Sequence, residues 1–243
     1  TAQLITLMAT MLAIQATIGV LNDWADRALD AREKPWKPVP AGLVSPRAAL
    51  ATAVTFATLA VFLAALAGPV PWMLAMAGLA CGIAYDLGLK RTPFSALTYA
   101  VALPLVPLWV WTALGQATPA LVAVLPAGVL LGVALQLANA LPDAAGDEAA
   151  GVRGTLQWLG PARGRRVAWL AFAGALALAL LLAPIVGLRS LPFTACWLIA
   201  ALLLVVAVGL YRRDPSRQSM QRGWTLLAPA TGLLAVGWFA SLP

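Results

Sequence analysis

Two stretches of the chain carry carboxylates at helical spacing. In Leu21-Asn22-Asp23-Trp24-Ala25-Asp26-Arg27-Ala28-Leu29-Asp30, the acids Asp23, Asp26 and Asp30 fall at i, i+3 and i+7, and Asn22 and Asp26 at i, i+4. On a continuous helix these groups share one face. In Asn139-Ala140-Leu141-Pro142-Asp143-Ala144-Ala145-Gly146-Asp147-Glu148, Asp143 and Asp147 repeat the i, i+4 spacing with Asn139 one turn earlier, and Pro142 falls where it can interrupt the helix. Carboxylates on one face repel each other, and at membrane depth each costs roughly 2.5–3.5 kcal/mol. A divalent cation offsets that cost. Hard oxygen ligands, in a chain with no histidine, favour Mg²⁺. One such cluster alone reads as a solvated helix end, with Arg27 and Arg32 as salt-bridge partners. Two of them with matching spacing predict a cage for Mg²⁺ bound to a polyphosphate.

The elements that must position these acids are membrane helices. The 243 residues are 62% apolar and only 10% charged, with a mean hydropathy of +0.87, against about 25% charge in a soluble domain. Apolar runs recur at lengths that cross roughly 30 Å of hydrocarbon, so the bilayer is the solvent for most of the chain. We expect an all-α polytopic fold with eight spans, near 4–22, 47–67, 70–86, 94–114, 119–141, 166–187, 190–211 and 224–241. Proline and glycine mark the junctions: Gly68-Pro69, Pro93, Gly115, Pro119, Pro142 and Gly187. Cys81 and Cys196 lie in apolar segments and read as small buried hydrophobes.

Charge is distributed by side. Of 16 Lys and Arg, only Arg189 falls in the short loops; the rest, with all nine Asp and Glu, fall near 23–46, 87–93, 142–165 and 212–223. The positive-inside rule makes this second side cytoplasmic. It also accounts for the net charge of +7 without any nucleic-acid partner. Arg163, Arg165, Arg166, Arg212, Arg213, Arg217 and Arg222 read as loop residues of this kind. Eight spans in that orientation put Thr1 outside, which predicts a further helix ahead of it. The first and fifth spans each end in an acidic cluster, as in a parallel repeat with a site at its interface.

Asn22-Asp23-x-x-Asp26-x-x-x-Asp30, followed by Lys37-Pro38-Val39-Pro40-Ala41-Gly42, resembles the first motif of the UbiA superfamily of intramembrane prenyltransferases. Asp143-x-x-Gly146-Asp147-x-x-x-Gly151-x-Arg153-x-Thr155-Leu156 resembles the second, and Tyr85-Asp86-Leu87-Gly88-Leu89-Lys90-Arg91 the Tyr/Lys loop between them. The resemblance covers essentially the whole chain as a single domain. It implies nine helices around a central cavity capped by cytoplasmic loops; eight are visible here, as though the first were missing. It also implies Mg²⁺-dependent transfer of a prenyl group from an isoprenoid diphosphate to a lipophilic acceptor: a quinone precursor, a chlorophyll-type ring or a glycerol-phosphate lipid.

By the same resemblance Asn22, Asp23, Asp26 and Asp30, with Asn139, Asp143 and Asp147, hold two Mg²⁺ on the diphosphate. Lys37, Lys90, Arg91 and Arg153 add positive charge around it. Lys90 and Arg91 equally fit the charge asymmetry alone. Tyr85, Tyr99, Trp109 and Trp111 are candidates to steady a carbocation or line the acceptor side, and equally fit packing or an interface belt. Asp86 reads as a substrate contact or a helix cap. A transporter, a membrane phosphotransferase and a terpene cyclase on the same fold are the competing readings. The acids gather at one interface, whereas transporter sites usually lie near the midplane, and the phosphotransferase signature is not found.

Overall fold

The computed structural model describes residues 2–123, 125–149, 151–184, 190–214 and 216–241. Gly187 and Arg189, a predicted junction and the predicted lone outer charge, lie outside them. The described residues are helical with no strand. Among the described residues, seven helical segments are long and apolar enough to cross a membrane. They include α1 (Ala2–Ala25), α3 (Pro46–Ala65), α4 (Pro69–Leu87), α5 (Ser95–Ala113), α10 (Pro161–Leu182) and α11 (Leu191–Arg213). The seventh, Leu121–Ala149, contains α7 (Leu125–Ala140). The eighth expected span is α12, a 23-residue helix over Arg217–Phe239. It begins seven residues before the expected 224, because its first two turns hold Arg217, Gln218, Gln221 and Arg222, which carry no apolar signal. The acidic loops also hold short helices: α2 (Arg27–Glu33), α8 (Ala144–Ala149) and α9 (Thr155–Leu159), with α6 (Pro119–Ala123) ahead of α7.

The outward residues confirm what solvent the protein expects. Ile5, Met8 and Leu12 on α1, and Leu198, Leu202 and Val205 on α11, are all more than half exposed. Large apolar side chains turned outward in this way suit hydrocarbon, not water.

The chain divides into two units, Thr1–Lys90 with Leu105–Ala117, and Arg91–Pro104 with Thr118–Pro243. In the first, α1 packs on α3 and α4. Helix α3 buries only Ala49, Ala53, Ala60 and Ala64, a one-sided row of small residues that lets helix backbones approach without a hydrophobic driving force. Leu7, Ile14, Leu79 and Trp109 fill the rest of this core. Thr10 and Thr17 are buried, and each hydroxyl donates to the carbonyl four residues back, Thr6 and Ala13, at 2.8 Å. A polar side chain is thereby satisfied within its own helix.

The second unit is built on α7, α10, α11 and α12. Phe172, Phe193, Leu204, Leu227 and Trp238 form its core with many alanines. The rings of Phe193 and Trp238 meet edge to face at 5.8 Å, and the Trp197 indole N–H donates to the Leu176 carbonyl at 2.8 Å. Gly132 of α7 lies directly against the Tyr99 carbonyl and Ala100 Cα of α5.

Candidate active site

The first acidic run keeps its helical repeat through a break. Helix α1 stops at Ala25 and α2 starts at Arg27, with Asp26 at φ −91° and ψ 3° between them. The Asp26 amide still donates to the Asn22 carbonyl at 2.9 Å, and the Asp30 amide to Asp26 at 2.8 Å. The one-face expectation therefore holds for Asn22, Asp26 and Asp30. Pro142 does interrupt the second run: α7 ends at Ala140, a 3₁₀ turn covers Leu141–Asp143, and α8 follows.

Beyond α2, Lys37-Pro38-Val39-Pro40-Ala41-Gly42 folds into a tight turn. The Leu43 and Val44 amides both donate to the Pro38 carbonyl, and Gly42 takes φ +72°, which suits glycine. The turn sets the Lys37 ammonium between two carboxylates, 2.9 Å from Asp23 Oδ1 and 2.7 Å from Asp30 Oδ2. Burial works to lower the Lys37 pKa, but the bonds and charges of Asp30 and Asp23 outweigh it and leave the ammonium above the usual lysine value.

A second lysine stands the same way. At the end of α4 the chain turns through Leu89–Arg91, and Lys90 Nζ lies 2.6 Å from Asp26 Oδ2 and 3.9 Å from Asp86 Oδ1. The Asn22 amide bridges the same two acids, donating to Asp86 Oδ1 at 3.0 Å and Asp26 Oδ2 at 3.3 Å. Asp86, read from the sequence as a substrate contact or a helix cap, is a side-chain partner of both Asn22 and Lys90. Its side chain is 1% exposed, and its Oδ2 is buried with no hydrogen-bond partner among the described residues. The signal was there: an acid inside an otherwise apolar span is a functional candidate by default.

Tyr85 is half-buried beside Asp86, and Arg91 is exposed. Trp109 is 3% exposed within the first core, its indole nitrogen unpartnered, and Trp111 is half-buried two residues on. In the second unit Asp143 accepts from the Arg217 guanidinium, a residue expected only to set topology. Asp147 accepts from the Gln157 amide at 3.5 Å. Asn139 and Tyr99 are half-buried on α7 and α5, and Arg153 is exposed.

Sequence reasoning also missed a polar network here. Thr155, from the second motif, donates its hydroxyl to the Pro93 carbonyl at 2.7 Å and accepts from the Ala96 amide at 3.0 Å. Ser95 Oγ stands 3.0 Å from that hydroxyl and accepts from the Thr155 amide at 2.9 Å and the buried Gln136 amide at 3.2 Å.

Among the described residues, no three acids converge as a preformed cation site. The oxygens instead pair around ammonium groups. Four carboxylates (Asp23, Asp26, Asp30 and Asp86) gather here with two lysines and offer hard oxygen donors. The unpartnered Asp86 oxygen adds to this. The donor set thus fits Mg²⁺.

The chain and its fold have counterparts among known proteins. Digeranylgeranylglyceryl phosphate synthase of Methanoregula boonei is 29% identical over 240 residues, covering 97% of this chain and 82% of that one. A UbiA homolog of Archaeoglobus fulgidus, solved with GPP and Mg²⁺, superposes with a TM-score of 0.76 at 16% identity, over 96% of this chain and 88% of that one. The apo UbiA homolog of Aeropyrum pernix gives 0.78 at 18% identity, over 97% and 90%. A profile of the UbiA prenyltransferase family matches residues 1–239, and the chain belongs to that family of prenyl-transferring enzymes.

Proposed function

We propose that this prenyltransferase moves a prenyl group from an isoprenoid diphosphate onto the hydroxyl of a glycerol-phosphate lipid, releasing pyrophosphate. The observation that carries the reading is the meeting of Asn22, Asp23, Asp26, Asp30 and Asp86 with Lys37 and Lys90 at the ends of α1 and α4. The names of the archaeal relatives support the acceptor class.

Asp23, Asp26 and Asp30, with Asn22, are assigned to hold Mg²⁺ on the diphosphate. Asn139, Asp143 and Asp147 are assigned the same task for a second ion. Bound Mg²⁺ supplies charge neutralisation of the leaving pyrophosphate. Lys37 and Lys90, and with them Arg91 and Arg153, add positive charge at the phosphate oxygens as negative charge grows there. The allylic C–O bond breaks with its electron pair going to the diphosphate. The acceptor oxygen then attacks the carbon, and its proton passes to the released pyrophosphate. Tyr85 is assigned to the allylic cation by its place beside Asp86, and Tyr99 and Trp111 to the acceptor side. The positive-inside rule, applied to the basic loops, supports the cytoplasmic face of the cell membrane for this chemistry.

The test is product identity. Purified enzyme is given labelled geranylgeranyl diphosphate, Mg²⁺ and either a singly prenylated glycerol-phosphate lipid or a hydroxybenzoate. Label in the glycerol-phosphate product supports the proposal. Label only in the hydroxybenzoate product transfers the acceptor to the quinone-precursor class.

A further inference from the structure

Asp86 lies outside the repeating Asp motif, yet its contacts are those of the motif. It sits on the last turn of a spanning helix, with its side chain 1% exposed. Its partners among the described residues are side chains: Asn22, 64 residues away, and Lys90 one turn on. A helix cap would bond to backbone amides, and neither of these partners is one. Its second oxygen is buried and meets no donor among the described residues. A buried acceptor left unmade needs a reason, and a buried carboxylate needs compensating charge.

Asp26 and Asp86 form one pair with the Lys90 ammonium between them, and Asp23 and Asp30 a second with the Lys37 ammonium between them. In each case a flexible monovalent cation stands between two hard carboxylates. We propose that Asp86 is a fourth carboxylate of the cation-binding set and that Lys90 is its resident counter-ion, so that a divalent ion and the Lys90 ammonium compete for the Asp26–Asp86 pair. This rests on the proposed role of the acidic set in holding Mg²⁺. It goes beyond that role in assigning Asp86 and in giving the lysine two positions. In the free enzyme Lys90 neutralises the acids. When the diphosphate arrives with its metal, the ammonium is released and its nearest new partner is a phosphate oxygen. The acids are never left uncompensated, and the metal-free site has little affinity for a bare ion.

Competition makes a prediction opposite to ordinary loss of function. Removing a lysine from a substrate site normally weakens what the site holds; here it should tighten metal binding. Detergent-purified wild type, Lys90→Gln, Asp86→Asn, the double variant and Arg27→Gln are titrated with Mn²⁺ by electron paramagnetic resonance, without any isoprenoid diphosphate. Lys90→Gln should bind Mn²⁺ at least about fivefold more tightly than wild type, within the usual range of coupling between sites. Asp86→Asn should bind more weakly, and the double variant should lose the gain. Arg27→Gln removes the same charge from the exposed side of the cluster and should stay within about twofold of wild type.

Unchanged or weaker binding in Lys90→Gln overturns the proposal. So does a double variant as tight as Lys90→Gln, or an equal gain in Arg27→Gln. Should Asp86→Asn fail to fold, Asp86→Glu gives the same comparison by displacing the carboxylate, and Lys90→Gln alone remains decisive. The readout needs no turnover, so failure to find a prenyl acceptor leaves it intact.

Discussion

Lys90 and Asp26, 64 residues apart in the chain, form a 2.6 Å ion pair whose side chains are only 11% and 15% exposed. The pair ties the turn after α4 to the junction of α1 and α2, and with Asn22 it closes a ring that includes Asp86. Partial burial makes such a pair costly to break from one side, since the remaining charge keeps its desolvation penalty.

Lys90→Met should therefore destabilise the metal-free protein by roughly 1–3 kcal/mol, seen as a lower unfolding temperature in detergent with EDTA. Saturating Mn²⁺ should restore most of the loss. A variant as stable as wild type under EDTA would mean that the ammonium contributes nothing to the fold.

The Thr155 network is the corresponding device in the second unit. Thr155→Val keeps the shape but removes the hydroxyl that bonds the Pro93 carbonyl and the Ala96 amide. The expected loss is about 0.5–1.5 kcal/mol, the net worth of a hydrogen bond at a site that water partly reaches. Thermal unfolding measures it, and a change under about 0.5 kcal/mol would show that water or a neighbour replaces the hydroxyl.

Gly132→Ala places a methyl group on the backbone of Tyr99 and Ala100, not on a side chain that can turn aside. Overpacking against backbone should cost about 1–3 kcal/mol. Gly209, with open space around its Cβ position, is the matched control: Gly209→Ala should be neutral or slightly stabilising in its helix.

Asp214 gives a pH dependence outside the spans. The Ser216 hydroxyl at 2.6 Å, the Ser219 hydroxyl at 3.1 Å and the Ser216 amide hold its carboxyl below the ordinary value of 3.8. A group depressed in the folded state stabilises above its unfolded pKa and loses that contribution as pH falls through the folded one. The melting difference between wild type and Asp214→Asn should thus be present at pH 6 and shrink as pH falls below about 3.8. A difference that stays constant down to pH 3 would contradict the assignment.

Much of this was legible along the chain because membrane helices and motif acids are local signals. Apolar runs fix the spans, and i, i+4 spacing survives the α1–α2 break since the Asp26 and Asp30 amides keep their helical bonds. What was hidden is tertiary. Nothing near Asp86 in sequence points to Asn22, and nothing near Arg217 points to Asp143, because those partners meet only when distant helix ends pack. The start of α12 was misplaced for a different reason: its polar turns resemble a loop to any apolar pattern. Trp109 reads equally as site or core in sequence, and the packing around Leu7, Ile14 and Leu79 puts it in the core.

The central claim is that the first acidic set binds a metal–diphosphate for prenyl transfer. Its most direct test is pyrophosphate release from geranylgeranyl diphosphate in the presence of lipid acceptor, with Mg²⁺ or EDTA, for wild type and Asp26→Asn. Mg²⁺-dependent release that drops at least about 100-fold in a folded Asp26→Asn is the predicted result. Release that persists in EDTA, or survives in Asp26→Asn, would contradict it.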